Sequence, residues 1–293
     1  MRILNFGSLN IDHVCHVHQI VRAGQTICAY QAHSQPGGKG LNQSLAAARA
    51  GAEVYHAGCV GDDGLFLRHI LFDSCVECSN IRLTDEQTGS AFIQVDDEGQ
   101  NCIVVSGGAN KAIPNELCEH LLEIFDDQTI LLLQNEINQT PYLINLAYQK
   151  GLYIVLNPSP ADDSLQACDL DKVNMLIVNE EEGQYLTGLP KDQMLSGLCA
   201  QYPKAEIVLT LGAKGAVYRK GDQTVFQPAV PTDVVDTTAA GDTFTGYLLA
   251  SLCRKQPIQT AMQRAALAAS IAVSRPGAAD SIPYKKELEK AGV

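Results

Sequence analysis

Short apolar runs alternate with helical patterns along most of the chain. Ile3–Leu9, Val54–Val60, Ile130–Gln134, Tyr153–Asn157, Met175–Asn179 and Ile207–Leu211 read as strands. Several are apolar almost throughout, as expected of parallel strands covered on both faces. Between them, Leu41–Ala50, Asn115–Ile124, Thr140–Lys150 and Gln193–Gln201 carry helical spacing, and Phe244 to Leu252 forms a further apolar helical run. Gly51 and Gly151 stand where a helix ends in a left-handed turn. This alternation predicts an α/β fold with a doubly wound, mainly parallel sheet.

Two stretches break the pattern. His13–Gln35 is polar and reads as irregular strands, while Thr88–Val105 alternates around the turn Asp96-Asp97-Glu98-Gly99. The expected division is a core of residues 1–12, 36–87 and 106–293, with 13–35 and 88–105 forming a small β-sheet. Such a sheet, built from two insertions beside ligand segments, is a lid or a pair of decorative hairpins. The charged tail Lys285–Val293 predicts a solvated helix.

Composition narrows the partners. The 293 residues suffice for one large core, and the formal net charge of -12 argues against nucleic acid or an anionic membrane. No early apolar run has signal-peptide flanks and no stretch reaches transmembrane length, so the cytoplasm is the expected location. Ten cysteines then suggest reduced thiols rather than a disulfide framework. Cys75 and Cys78 form one C-x-x-C beside a helix end, which lacks the second pair of a zinc site. His13, Cys15, His16 and His18 invite a metal reading, but Cys15 and His16 face opposite ways on a strand.

Candidate chemistry recurs at the carboxyl ends of the expected strands, where ligands collect in parallel sheets. Asn10 and Asp12 pair an amide with a carboxylate, which suits a polyhydroxyl ligand or a simple Asx turn. Gly37-Gly38-Lys39-Gly40-Leu41-Asn42-Gln43 opens a helix with room for close backbone approach. It is neither a Walker A loop nor the dinucleotide fingerprint, which disfavours a nicotinamide oxidoreductase. Gln134-Asn135-Glu136 and Asn179-Glu180-Glu181-Glu182 end two strands in acid groups. The latter suits Mg²⁺ held through water, or an acidic first helical turn. Thr210 to Gly215 suits a nucleotide phosphate or a plain turn. Asp236-Thr237-Thr238-Ala239-Ala240-Gly241-Asp242 precedes an apolar helix with no large side chain over its N–H groups, so it is an anion site or an Asp cap.

The order of these segments resembles the ribokinase, or phosphofructokinase-B, family of carbohydrate kinases, from Asn10 to Ser281. Gly37 to Ser44 matches the family's first signature and Asp236 to Asp242 its second. The resemblance implies Asp242 as general base, with the N–H groups of Ala240, Gly241 and Asp242 as the anion hole. It implies that Asn10, Asp12, Gly38, Lys39, Asn42, Glu136 and Asp242 hold a sugar. Asn179, Thr210, Leu211, Gly212, Ala213, Lys214, Gly215, Gly241 and Ala266 would line ATP. Asn179 and Glu182 would organise Mg²⁺ through water. Asp236, Thr238, Ala272, Arg275, Gly277 and Ser281 would hold K⁺. The family also implies a homodimer formed through the lid. Tyr247 departs from the pattern, standing where the family has Gly or Ala.

Thr88–Asn110 contains no Lys or Arg to meet a charged sugar, and Phe92 is its only aromatic, which offers little to a nucleobase. Within the resemblance, the unbroken set Asn10, Asp12, Gly38, Lys39, Asn42 and Glu136 implies phosphoryl transfer from ATP to D-ribose, giving ribose 5-phosphate, as the expected reaction. Fructose, 2-deoxyribose and a ribonucleoside are alternative acceptors. A sugar sensor without turnover is the alternative of another class, and the presence of Asp242 argues against it.

Overall fold

The computed structural model describes residues 1–290. The chain begins β1 (Arg2–Phe6), β2 (Asn10–His16), β3 (Gln31–Gly37), α1 (Lys39–Arg49), β4 (Val54–Val60), α2 (Leu65–Asp73) and β5 (Glu77–Leu83). It continues β6 (Gly89–Val95), β7 (Asn101–Ser106), α3 (Asn115–Ile124), β8 (Thr129–Gln134), α4 (Thr140–Lys150), β9 (Tyr153–Asn157) and β10 (Met175–Val178). The remainder is α5 (Glu180–Thr187), α6 (Lys191–Gln201), β11 (Glu206–Thr210), β12 (Ala216–Lys220), β13 (Gln223–Gln227), α7 (Ala240–Cys253), α8 (Ile258–Val273) and α9 (Lys285–Lys290).

Among the described residues, one nine-stranded sheet runs β13-β12-β11-β10-β9-β8-β1-β4-β5. It is parallel from β11 to β5 and antiparallel at β12 and β13. Its strands are apolar on both faces because both faces are covered. Along β8, Ile130 and Leu132 join the core under α1, α2, α7 and α8, while Leu131 and Leu133 join the core under α3, α4 and α6. The expected doubly wound α/β fold is present. A separate four-stranded sheet, ordered β3-β2-β6-β7, stands beside it. The tail helix is described as far as Lys290, and the last residues assigned to it lie outside the described ones.

Two local readings change. Ile3–Leu9 is not one strand: β1 stops at Phe6 and β2 begins at Asn10 in the small sheet. The reason is α1, whose start uses the intervening backbone. The Leu41 N–H donates to Ser8 O at 2.9 Å, and a Cβ on Gly40 would lie 2.3 Å from Ser8 N. The segment His13–Gln35 is also more regular than its polarity suggests, since β2 and β3 pair in antiparallel register from Asn10↔Gly37 to His16↔Gln31. Its rings stack in pairs, His13 on Phe92 and His16 on His33. No group of three His, Cys, Asp or Glu side chains arranged for a metal ion occurs among the described residues.

Tyr247 is fully buried on α7, and its hydroxyl donates to Pro283 O at 2.7 Å. Arg49 supports the same strap, donating to Ala279 O and Ile282 O at 2.6 and 2.8 Å. The bulk at position 247 therefore fastens the 279–283 segment to the core. Tyr247→Phe leaves the Pro283 carbonyl without this donor and should cost about 1 kcal/mol. Tyr247→Ala, which opens a cavity as well, should cost roughly 3–5 kcal/mol. Denaturant unfolding of both variants measures the difference.

Candidate active site

Two helix N-termini meet at the carboxyl edge of the large sheet. The first opens at Gly38, whose φ of 95° is left-handed and favours glycine; a Cβ there would sit 3.0 Å from Asn10 N and Ser8 O. The second opens at Ala239, a non-glycine residue at φ 59°. A cleft of about 210 Å³ lies between them, with Lys39, Asn157, Asn179, Thr210, Gly241 and Asp242 on its wall.

At the α7 end, the first three N–H groups have no intrahelical acceptor. That of Ala240 donates to Thr237 O at 3.2 Å, which leaves Gly241 and Asp242 as the open donors. A Cβ on Gly241 would meet nothing within 4 Å. The helix terminus adds roughly half a positive charge at this point. Asp242 is buried at the third helical position; its Oδ2 accepts from Asn42 Nδ2 at 3.1 Å and its Oδ1 from Gln43 Nε2 at 2.9 Å.

The residues expected to hold a sugar gather beside Asp242. Glu136 accepts from the Lys39 N–H at 3.1 Å and from the Ser8 hydroxyl. Asn10 presents Oδ1 to Asn110 Nδ2 at 2.7 Å, so its own amide N–H₂ points elsewhere. Asp12 packs against Gly37, where a Cβ would come within 2.2 Å of its carboxyl carbon. Burial, reinforced by Glu136 and Asp242, raises the Asp12 carboxyl to about 7, with Lys39 opposing. Burial alone would lower the Lys39 ammonium, but Asp242, Glu136, Glu182 and Asp12 outweigh it and hold it above its ordinary range. Asn42 Oδ1 is buried with no hydrogen-bond partner.

Asn179 and Glu182 form a capping box at the start of α5. Asn179 Oδ1 accepts from the Glu182 N–H at 2.8 Å, and Glu182 Oε2 accepts from the Asn179 N–H at 2.9 Å. The acidic first turn is thus realised, and the same pair lines the cleft. Burial raises the Glu182 carboxyl. Asp236 ties two segments together, accepting from Thr238 N at 2.8 Å and from Gly277 N at 2.9 Å. The Arg275 side chain turns away to Glu287, and Ser281 Oγ donates to Ala278 O at 2.8 Å. Ala272 O accepts from the Arg275 N–H at 3.1 Å at the end of α8. Leu211 to Gly215 forms a tight turn closed by Leu211 N–H to Gly215 O at 2.8 Å. That turn and the buried Ala266 lie off the cleft wall, whereas Thr210 lies on it.

Sequence reasoning passed over Asn110, Asn157 and the role of Gln43. Asn157 ends β9 as Glu136 follows β8, so the strand-end rule points to it. Asn110 carries no such signal; only the fold brings it to Asn10.

A doubly wound sheet with open helix-start N–H groups and a buried carboxylate at one cleft is an arrangement suited to phosphoryl transfer onto a hydroxyl. The family model for pfkB family carbohydrate kinases matches residues 2–285, and the chain belongs to that family. It is 33% identical to the ribokinase of Haemophilus influenzae, over 96% of this chain and 95% of that one. Among solved structures, a ribokinase from Cryptococcus neoformans in complex with ADP superposes with a TM-score of 0.88 at 34% identity, covering 99% of each chain. An Arabidopsis thaliana ribokinase complexed with ribose and ATP gives 0.87 at 30% identity, covering 99% of this chain and 97% of that one. No helix among the described residues is long and apolar enough to cross a membrane.

The Asp12 shift has a sign that can be measured. Its carboxyl binds a proton more tightly folded than unfolded, rising from 3.8 to about 7. Between those values the folded chain holds a proton the unfolded chain has lost, so stability falls as pH rises, by up to about 1.4 kcal/mol per pH unit. Asp12→Asn should flatten that slope in the ligand-free protein, as read from melting temperatures across pH 4 to 7. An unchanged slope rules out Asp12 as its source.

Proposed function

We propose that this protein transfers the γ-phosphoryl of ATP to the 5-hydroxyl of D-ribose. The observation that carries the reading is Asn42 Oδ1, a buried acceptor without a donor, beside Asp242 and the acid groups of Asp12 and Glu136. Such a cradle suits a neutral ligand rich in hydroxyls, each able to donate and accept. The ribokinase relatives favour ribose among such ligands. The absence of Lys and Arg from Thr88–Asn110 disfavours a phosphorylated or acidic sugar.

In this reading Asn10, Asp12, Gly38, Lys39, Asn42 and Glu136 orient the sugar. Asp242 takes the hydroxyl proton as the oxygen–phosphorus bond forms, the bond to the β-phosphate breaks, and ADP leaves. The Gly241 and Asp242 N–H groups, with Ala240 at the same helix start, face the equatorial oxygens of the transferred phosphoryl. Preorganised donors of this kind need no reorganisation as charge develops. Thr210 and the turn Leu211 to Gly215 flank the nucleotide, with Ala266 behind it. Mg²⁺ supplies charge neutralisation on the phosphates, and Asn179 and Glu182 would hold its waters. Bound K⁺ would supply positive charge to the site. Asp236, Thr238, Ala272, Arg275, Gly277 and Ser281 would hold it, mostly through carbonyls; the Asp236 tie between the two loops supports this set.

The small sheet serves as a lid over the sugar. Its edge strand β7 exposes Ile103, Val104 and Val105, and an unpaired apolar edge calls for cover. A second copy, paired through the lids, is the proposed occupant. Sedimentation should show a dimer that Val104→Lys converts to monomer; a monomeric unmodified protein overturns this.

A coupled ADP-release assay over pentoses, hexoses and nucleosides, with K⁺ or Na⁺, tests the reaction. Ribose with K⁺ should give the highest turnover. A preference for another sugar removes the substrate assignment, and indifference to the cation removes the K⁺ set. Asp242→Asn should lower kcat by roughly 10²–10⁴-fold. Ribose binding, measured by calorimetry, should persist in that variant. Near-normal turnover excludes Asp242 as base.

A further inference from the structure

A chain of buried polar side chains runs beneath the cleft and ends on Asp242. Asn5, Gln43, Ser44 and His56 are fully buried, and Gln134 nearly so. Gln43 Nε2 donates to Asp242 Oδ1 at 2.9 Å and to Asn157 Oδ1 at 3.0 Å. Gln43 Oε1 accepts from Gln134 Nε2 at 2.7 Å, which also donates to Asn5 Oδ1 at 3.0 Å. Asn5 Nδ2 donates to Gly40 O and to Ser44 Oγ, each at 2.8 Å.

The direction of every bond follows from acceptor-only atoms at the ends. A carboxylate and the Gly40 carbonyl cannot donate, so each amide between them has one workable orientation. Ser44 Oγ, already an acceptor, gives its proton to His56 Nδ1 at 2.8 Å, and His56 Nε2–H faces Gly7 O at 3.3 Å. Burial lowers His56 to about 4, so the ring is neutral and this tautomer fits. The chain carries no net charge along its length. It holds the Asp242 carboxylate by donated hydrogen bonds alone, from Gln43 on one oxygen and Asn42 on the other.

From this geometry we infer that Gln43 is a positioning residue: it fixes the carboxylate of Asp242 so that one lone pair faces the acceptor hydroxyl. The inference rests on Asp242 as the base. The charged groups facing Asp242 are Lys39 from α1, Asp12 from β2 and Glu182 from α5. None replaces a donor beneath it.

Gln43→Glu exchanges the donor for an acceptor of the same shape. Its kcat at neutral pH should fall by about tenfold or more, with the ribose KM within about twofold of the unmodified enzyme, because the group acts through the base rather than on the sugar. The acid limb of the kcat–pH profile should move up by about one pH unit or more. Combining Gln43→Glu with Asp242→Asn restores the donor–acceptor pair at Asp242 but not the bond to Asn157 Oδ1, so the melting temperature should recover in part while turnover does not. If Gln43→Glu does not fold, Gln43→Met removes the donor without charge and should show the same split between kcat and KM. An unmoved acid limb with unchanged kcat, beside an inactive Asp242→Asn, overturns this inference alone. An active Asp242→Asn overturns the base assignment, and this inference with it.

Discussion

The close contact between α1 and α7 is the constraint on which the site depends. Gly246 makes it possible: a Cβ there would lie 2.4 Å from Ala46 Cβ and 2.6 Å from Ala47 N. On its other side, α1 lies against the end of β1, where Gly40 meets Gly7 at a distance no side chain permits. These two contacts place helix starts from distant parts of the chain side by side. Asn42 and Gln43 then reach Asp242 directly, across 200 and 199 residues of sequence. A helix pair one methyl group farther apart would lose both bonds, and the carboxylate would face an unfilled polar gap.

The charge distribution around that contact is lopsided. Asp12, Glu136, Glu182 and Asp242 surround Lys39, so the cleft is acidic in a chain of net charge -12. Four carboxylates suit a neutral polyol, whose hydroxyls donate to them. They do not suit a nucleotide's phosphates, which must be met elsewhere. In the proposed function, the open Gly241 and Asp242 N–H groups and the α7 dipole would meet them.

Much of this was legible along the chain because it rests on local pattern. Buried strands such as Ile130–Gln134 announce themselves by unbroken apolarity, and the glycines of residues 37–40 announce close backbone approach. What stayed hidden depends on partners far away in sequence. The apolar run to Leu9 reads as one strand, yet α1 claims the backbone at Ser8 and sends Asn10 and Asp12 into the small sheet. Gln43 looks like an ordinary member of a helix start until Gln134, Asn5 and Asn157 are set around it. The Ala240 N–H is by position one of three adjacent donors at the α7 start, but the turn directs it to Thr237 O. No spacing rule reports which of three adjacent donors a turn will consume.

The turn itself shows where its small residues are needed. Ala239 holds a left-handed backbone that costs a non-glycine residue about 1 kcal/mol or more. The surrounding bonds fix it: Thr243 N–H to Ala239 O at 2.8 Å behind, and the Asp236 carboxylate on Thr238 ahead. That conformation swings the Gly241 and Asp242 N–H groups toward the cleft. At Gly246 and Gly40 the protein's own atoms forbid a side chain. At Gly241 they do not, since a Cβ there meets nothing in the fold. Packing therefore does not require glycine at that position; the proposed passage of a phosphoryl group on the cleft side would.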